Sequence, residues 1–475
     1  MSIRKNVLYN MLVTLSGVLF PLITFPYASR VLGAESIGRV NFASSFVANF
    51  LVLAGFGIPI YGIRAIAKVR DDRAALNQTF SELLVINVLA SIVAVVAFGF
   101  MLLLHPRLQS DPRLFLITGV LILMNPFTFD WLFAGLEQYG AIALRSLIAK
   151  LICVALLFIM VRSAQDYLWF AAWSVLLILM SNVINWVMLR SLVTLSFRGL
   201  QFKRHLRPTF VLFVSMVAGS VYLNMNPVLL GLWRSNVEVG FYTVAYKVNF
   251  LAVTLLVTLG GVIIPRMSYY VNQRQAVEFN ALAQKSVRIL LIVALPLAIL
   301  VGFLAPDLIH IIAGAQFAQG SVALRIIAPT VFFIATSHFL GLQILYPQHR
   351  EQWVLSAILG AACLCLLANW ILLPKFGIVG AAISYLLAES FVVFWEWICA
   401  RKYLHADVWG HSAFAYVGNG LGLALCFAFA LLLPMSSLLR VILFSGFAVV
   451  STCSIMYLLK EDLFFTTLRK LKGLL

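Results

Sequence analysis

The chain has 475 residues, of which 63% are hydrophobic and only 11% charged, and its mean hydropathy is +1.01. So few polar groups cannot cover a soluble domain of this size, which excludes a water-soluble fold. The net charge of +17 would suit nucleic acid in a soluble protein; in a membrane protein it follows from lysines and arginines gathered on cytoplasmic loops.

The apolar runs are continuous, about 20 residues long, and lack two-residue alternation. In lipid every backbone amide needs an internal partner, so these runs read as helices and not as a closed barrel. Fourteen spans are expected, at 7–32, 37–60, 79–103, 113–134, 141–161, 167–189, 209–232, 239–264, 286–305, 322–346, 353–373, 377–398, 412–434 and 438–459. Twelve would remain if two of them re-entered or lay at the surface. Arg4 and Lys5 precede the first run, and no small-residue cleavage site ends it, so it reads as a first span and not as a removed signal. Where the first two spans meet, the stretch "PLITFPYASRVLGAESIGRVNF" (Pro21 to Phe42) holds two prolines, three charges and two glycines. A simple crossing has no use for these residues, and they predict a bend.

With the N-terminus inside, the inner segments carry 23 lysines and arginines and the outer segments 9. That bias predicts both ends in the cytoplasm and an even number of spans. The chain also echoes itself. At an offset of 202, Gly17 meets Gly219, Gly38 meets Gly240 and Ala43 meets Ala245. The repeat divides the core into two parallel six-helix lobes, 1–200 and 201–405. Two additional spans and a basic tail follow at 406–475. The expected fold is an all-α polytopic membrane bundle. No loop is long enough to form a domain with its own core.

An ionisable side chain at membrane depth is costly unless it faces protein or water, so each one is a functional candidate. Lys150 and Lys247 fall well inside spans five and eight, and Glu389 falls inside span twelve. Asp130 and Glu396 lie toward the inner ends of spans four and twelve. Each could instead be a snorkelled side chain or half of an internal ion pair. Glu389 would either neutralise Lys247 or titrate in a proton-coupled cycle. His338, the only histidine inside a span, reads as a hydrogen-bonding packing residue. Pro21, Pro26, Pro59, Pro126, Pro227, Pro265 and Pro296 lie in or at the ends of spans, where proline bends helices. The six cysteines read as small core or lipid-facing residues. There is no phosphate-binding glycine loop, no H-E-x-x-H and no acidic cluster spaced for a metal. Neither catalysis, nor a metal, nor a cofactor is expected.

The opening stretch resembles the first helical pair of the polysaccharide flippases of the O-antigen type, in the superfamily that also holds the MATE exporters and the lipid II flippase. "WLFAGLEQY" (131–139), "EVGFYTVAYKV" (238–248) and "LLPKFGIVGAAISYLLAE" (372–389) resemble the same family. The resemblance implies two lobes in a V around a cationic cavity. It also implies ion-coupled, alternating-access transfer of an undecaprenyl-diphosphate-linked oligosaccharide across the bacterial cytoplasmic membrane. The partners it implies are that substrate, membrane lipids, and a polysaccharide polymerase with its assembly proteins; nucleic acid is not among them. Arg30, Arg64, Lys150 and Lys247 would then line the substrate path, and Asp130, Glu389 and Glu396 would serve ion coupling or ion pairing. The family often shows an aspartate in span seven, where this chain has Asn226 and Pro227. Two other readings are open: a MATE-like exporter of small cations, and a non-transporting scaffold for glycan assembly. The absence of an acidic residue in span one disfavours the first. The midplane charges disfavour the second.

Overall fold

The computed structural model describes 3–196, 199–261, 263–404, 408, 412–430 and 434–459. Within these it describes side chains other than those of 3–15, 18–19, 139, 141–145, 190–191, 258–261, 412 and 430. The side chains of Arg4, Lys5, Arg145, Arg190 and Arg198 and the basic tail from Lys460, which enter the orientation argument, lie outside the described residues.

All regular structure among the described residues is helical. The chain divides into two compact units, 1–240 and 241–475. The first holds α1 (Ile3–Gly55), α2 (Ile58–Val69), α3 (Arg73–Leu104), α4 (Pro106–Gln109), α5 (Pro112–Met124), α6 (Asp130–Gly135), α7 (Tyr139–Met160), α8 (Tyr167–Leu192), α9 (Lys203–Trp233) and the start of α10 (Asn236–Gly261). The second holds the rest of α10 and α11 (Ile264–Asn272), α12 (Ala276–Ile289), α13 (Leu295–Phe303), α14 (Ala305–Ala313), α15 (Gly320–Ile327), α16 (Thr330–Ser337), α17 (Glu351–Phe376), α18 (Ile378–Ala400), α19 (Ser412–Ala430) and α20 (Ser437–Leu458). Short π-helical stretches join α12 to α13 at 290–294 and follow α16 at 338–345.

Eleven segments among the described residues are long and apolar enough to cross a membrane, and shorter apolar helices lie at Ser146–Met160 and Ala413–Phe429. One of the eleven, Phe20–Val69, contains the bend of α1. Each of the fourteen expected spans therefore has a helix, and the chain is a multi-pass membrane protein. The bend falls on Gly33, at φ 78° and ψ 173°. That backbone geometry is open to glycine and strained for any residue with a Cβ. Pro21 and Pro26 ride inside the helix before it. Pro59 and Pro265 sit in the first turns of α2 and α11, where their missing N–H costs nothing. Pro126 lies in the 3-10 turn that directly follows α5, Pro227 lies inside α9, and Pro296 follows the π-helical stretch inside the continuous run 276–303. Two of the prolines that looked like kinks in the sequence thus start helices, and in α1 glycine makes the sharp turn.

In unit 1, α1 packs along α9, α3, α7 and α5. The seam is aromatic: Phe42, Phe46, Phe50, Phe98 and Phe115 interlock with centroids 5.2–6.4 Å apart. A close approach of α1 and α10 uses the two glycines that the internal repeat aligns. A Cβ at Gly38 would lie 1.7 Å from the Asn236 carbonyl, and one at Gly240 would lie 2.1 Å from the Ala34 carbonyl. In unit 2, α17 and α18 form an extended pair, α15 and α16 pack on α18, and α19 and α20 flank α13 and α14.

Burial follows the logic of a lipid solvent. Large apolar side chains such as Leu89, Val93, Val96 and Phe100 on α3 are exposed, while Ser29, Asn87, Thr118, Asn249, Thr330 and Asn369 are buried. Lipid offers no hydrophobic gain for helix association, so close packing and interhelical hydrogen bonds supply it, each bond worth about 0.6 kcal/mol. Asn87 Nδ2 donates to the Ala54 carbonyl at 2.8 Å, satisfying an acceptor at the end of α1. Asn249 Nδ2 donates to Thr330 Oγ1 at 2.9 Å, tying α10 to α16.

Candidate functional site

The proposed cations of unit 1 are spread along it and do not form one cluster. Arg30 is exposed near the end of the first half of α1, three residues before the bend, and it has interaction partners. Lys150 is half-buried on α7, and its Nζ donates to Ser16 Oγ on α1 at 2.8 Å. Ser16 and Arg30 are 14 residues apart, about 21 Å along a helix. Arg64 is exposed on α2, beyond the second half of α1. Positive charge is thus available at each end of the unit and partway between. Asp130 opens α6 and is exposed, and its Oδ1 accepts from Asn185 Nδ2 at 3.3 Å.

In unit 2, Lys247 is half-buried on α10 and Glu389 is buried on α18. Both have interaction partners. The two helices meet through the edge-to-face pair Tyr246–Tyr385, 5.7 Å between centroids. Tyr246 precedes Lys247, and Tyr385 lies one turn before Glu389. Glu396 is 1% exposed on the same helix, more buried than a position near the inner end of a span suggests. Ser337 hydrogen-bonds its carboxylate. Oε1 approaches Gly341 so closely that a Cβ there would lie 2.8 Å away. Its Oε2 is buried with no hydrogen-bond partner among the described residues. His338 starts the same π-helical stretch, and its Nδ1 is likewise buried without such a partner.

Two charged groupings escaped the sequence reading. Glu82 on α3 is fully buried. It accepts from the Gln201 backbone N–H at 2.6 Å and from Arg204 Nε and Nη2 at 3.0 and 2.6 Å, and it lies 2.6 Å from His205 Nε2. His205 Nδ1 in turn lies 2.9 Å from the Tyr61 hydroxyl. This hub joins α2, α3 and the start of α9. The sequence signals were the polar run "NQTFSE" (77–82) and the basic run "KRHLR" (203–207), counted earlier only as span edge and loop charge. In unit 2, Arg440 Nη1 donates to both carboxylate oxygens of Asp307, at 3.0 and 3.2 Å. The lone charge of the added helix pair therefore locks α20 to α14. Among the described residues no group of histidines, cysteines and acids could hold a metal ion.

The described residues form a polytopic all-helical bundle with sparse cations at membrane depth. Its fold matches the lipid II flippase MurJ in an inward closed conformation with a TM-score of 0.76 at 16% identity, covering 95% of this chain and 99% of that one. It also matches an inward-facing multidrug-resistance MATE family transporter of the MOP superfamily, with a TM-score of 0.62 at 13% identity over 81% and 94% of the two chains. The family model described as polysaccharide biosynthesis protein matches residues 3–271, and that of the lipid II flippase MurJ matches 239–456. The chain belongs to the polysaccharide biosynthesis protein family. Relatives provisionally named O-antigen transporters are 27% identical in Shigella dysenteriae, over 82% of this chain and 98% of the relative, and 26% identical in Escherichia coli K12, over 82% and 95%. A relative provisionally named a low-salt glycan biosynthesis flippase, Agl15 of Haloferax volcanii, is 22% identical over about half of each chain.

Proposed function

We propose that the protein moves an undecaprenyl-diphosphate-linked oligosaccharide from the inner to the outer leaflet of the bacterial cytoplasmic membrane. It does so as a non-enzymatic step of cell-surface polysaccharide synthesis, handing its cargo to polymerising and assembly proteins. The observation that carries the reading is the family membership over 3–271 joined to a flippase fold over 95% of the chain. The chemistry supports it. A diphosphate cannot cross about 30 Å of hydrocarbon uncompensated. Cations spaced along a hydrated path lower that barrier without binding so tightly that release fails. Arg30, Lys150 and Arg64 in unit 1 and Lys247 in unit 2 are the groups assigned this role. Lysine suits it as a mobile point charge, whereas arginine forks more rigidly onto phosphate.

The repeats 1–200 and 201–405 are assigned as the moving bodies of an alternating-access cycle, with 406–475 added outside it. Glu389 and Glu396, with Asp130, are the acids available to couple an ion to that cycle. Both termini are placed in the cytoplasm by the 23-to-9 charge bias. The test is export. The protein is expressed in an Escherichia coli strain that lacks its own O-antigen transporter and makes the lipid-linked repeat. Restored surface glycan supports the reading. Surface glycan that stays absent across a panel of repeat-unit structures, with the protein present in the membrane, contradicts it.

A further inference from the structure

Unit 1 contains a second polar site that the cationic residues above do not use. At the end where α1 has just turned, the α4–α5 junction and the turn into α10 close a cavity of about 460 Å³, within the range of small-ligand sites, about 300–1,000 Å³. One wall is apolar and aromatic: Phe42 and Phe115 meet edge to face with centroids 5.5 Å apart. The other walls are charged but balanced. Arg39 Nη2 donates to Glu35 Oε1 at 2.6 Å, and its guanidinium lies over the Tyr167 ring. Arg107 Nε is fixed by the Gly231 carbonyl at 2.9 Å, with Asp111 lining the same cavity. Two acceptors are left over. The Asp111 carboxylate is hydrogen-bonded by Tyr167, yet its Oδ2, like Asn236 Oδ1, is buried with no hydrogen-bond partner among the described residues, and an acceptor buried that way forfeits its hydration for nothing.

These features narrow the ligand. Two carboxylates and two guanidiniums leave no net charge, so a diphosphate gains little. An alkyl chain would leave the orphan acceptors unsatisfied. A neutral polyol with an apolar ring face answers both walls: its hydroxyls donate to Asp111 and Asn236 and accept from the arginines, and its C–H face lies on Phe42 and Phe115. We infer that this cavity binds one neutral pyranose unit of a glycan. Under the expected topology it lies on the outer side, where a glycan would arrive. That placement, and the identification of the sugar as cargo, rest on the proposed function; the binding chemistry does not.

The test is saturation-transfer NMR on the purified full-length protein, with methyl pyranosides of glucose, galactose, mannose, rhamnose and N-acetylglucosamine as probes. At least one should show transfer. Asp111→Ala and Asn236→Ala should each weaken it about fivefold, the worth of one hydrogen bond. Ser110→Trp, which fills the exposed rim without removing a buried group, should abolish it, so the outcome does not hang on variants at buried acceptors. No transfer from any of the five sugars, or transfer indifferent to all three substitutions, overturns the proposal. Transfer that responds to the substitutions, in a protein that moves no glycan between leaflets, would sink the transport reading and leave the pyranose site standing.

Discussion

At the scale of single residues, charge and close packing make separate demands. If Lys247 meets the anionic cargo, Lys247→Ala abolishes glycan export, Lys247→Arg keeps part of it, and both proteins accumulate normally in the membrane. If Lys247 only neutralises Glu389, the double change Lys247→Ala with Glu389→Ala restores what the single change loses. Surface glycan measured for all four proteins decides between these outcomes, and full rescue would remove Lys247 from the path. Glu82 poses a different question. Its charge is fully buried, while Arg204 is 44% exposed. Glu82→Ala removes that charge but leaves the Gln201 N–H and the buried His205 without their acceptor, so it should cost about 1–3 kcal/mol. A thermal-unfolding scan in detergent reads this as a lowered midpoint, and an unchanged midpoint would show that the hub does not hold α9 to α3. Gly38→Ala forces a methyl into the Asn236 carbonyl and should destabilise by about 1–3 kcal/mol. Gly17→Ala, with nothing within 4 Å of the added carbon, is the control and should leave the midpoint in place.

At the scale of elements, the helix positions were legible because each is written locally, as a continuous apolar run of membrane length. The bend was legible only as a region. The stretch from Pro21 to Phe42 announced it, but the prolines drew attention from Gly33, whose left-handed φ does the turning. Gly33→Ala should cost about 1–3 kcal/mol of backbone strain, whereas Pro26→Ala should not. A melting comparison of the two separates the glycine hinge from a proline kink. What the sequence could not reveal are partnerships across long separations. Glu82 and Arg204 are 122 residues apart, and Asp307 and Arg440 are 133 apart; periodicity carries no trace of such pairs. The second pair anchors the C-terminal helices. They also pack on α13 and α14 through Leu304, Leu423, Phe427, Phe444 and Ala448. Arg440→Ala should loosen α20, seen as faster proteolysis after α19. Export should be weakened but not lost, since none of the cations assigned to the path lies on α19 or α20. Unchanged proteolysis would show that the aromatic packing alone holds the pair.

At the scale of the whole molecule, topology and transport activity are open to separate tests. Cysteine probes at Gln109 and Asp71, both exposed, should label from outside and inside respectively, in a background without the six native cysteines. The reverse pattern would invert the assignment of every loop. The central claim is met most directly by following the cargo itself. Purified protein is reconstituted with undecaprenyl-diphosphate-linked oligosaccharide, and the share of glycan open to an externally added glycosidase is followed over time. Vesicles with the unaltered protein should expose the internal pool many times faster than protein-free vesicles, and vesicles with Lys247→Ala should behave like the protein-free ones. Equal exposure with and without the unaltered protein, across oligosaccharides of different composition, would contradict the account.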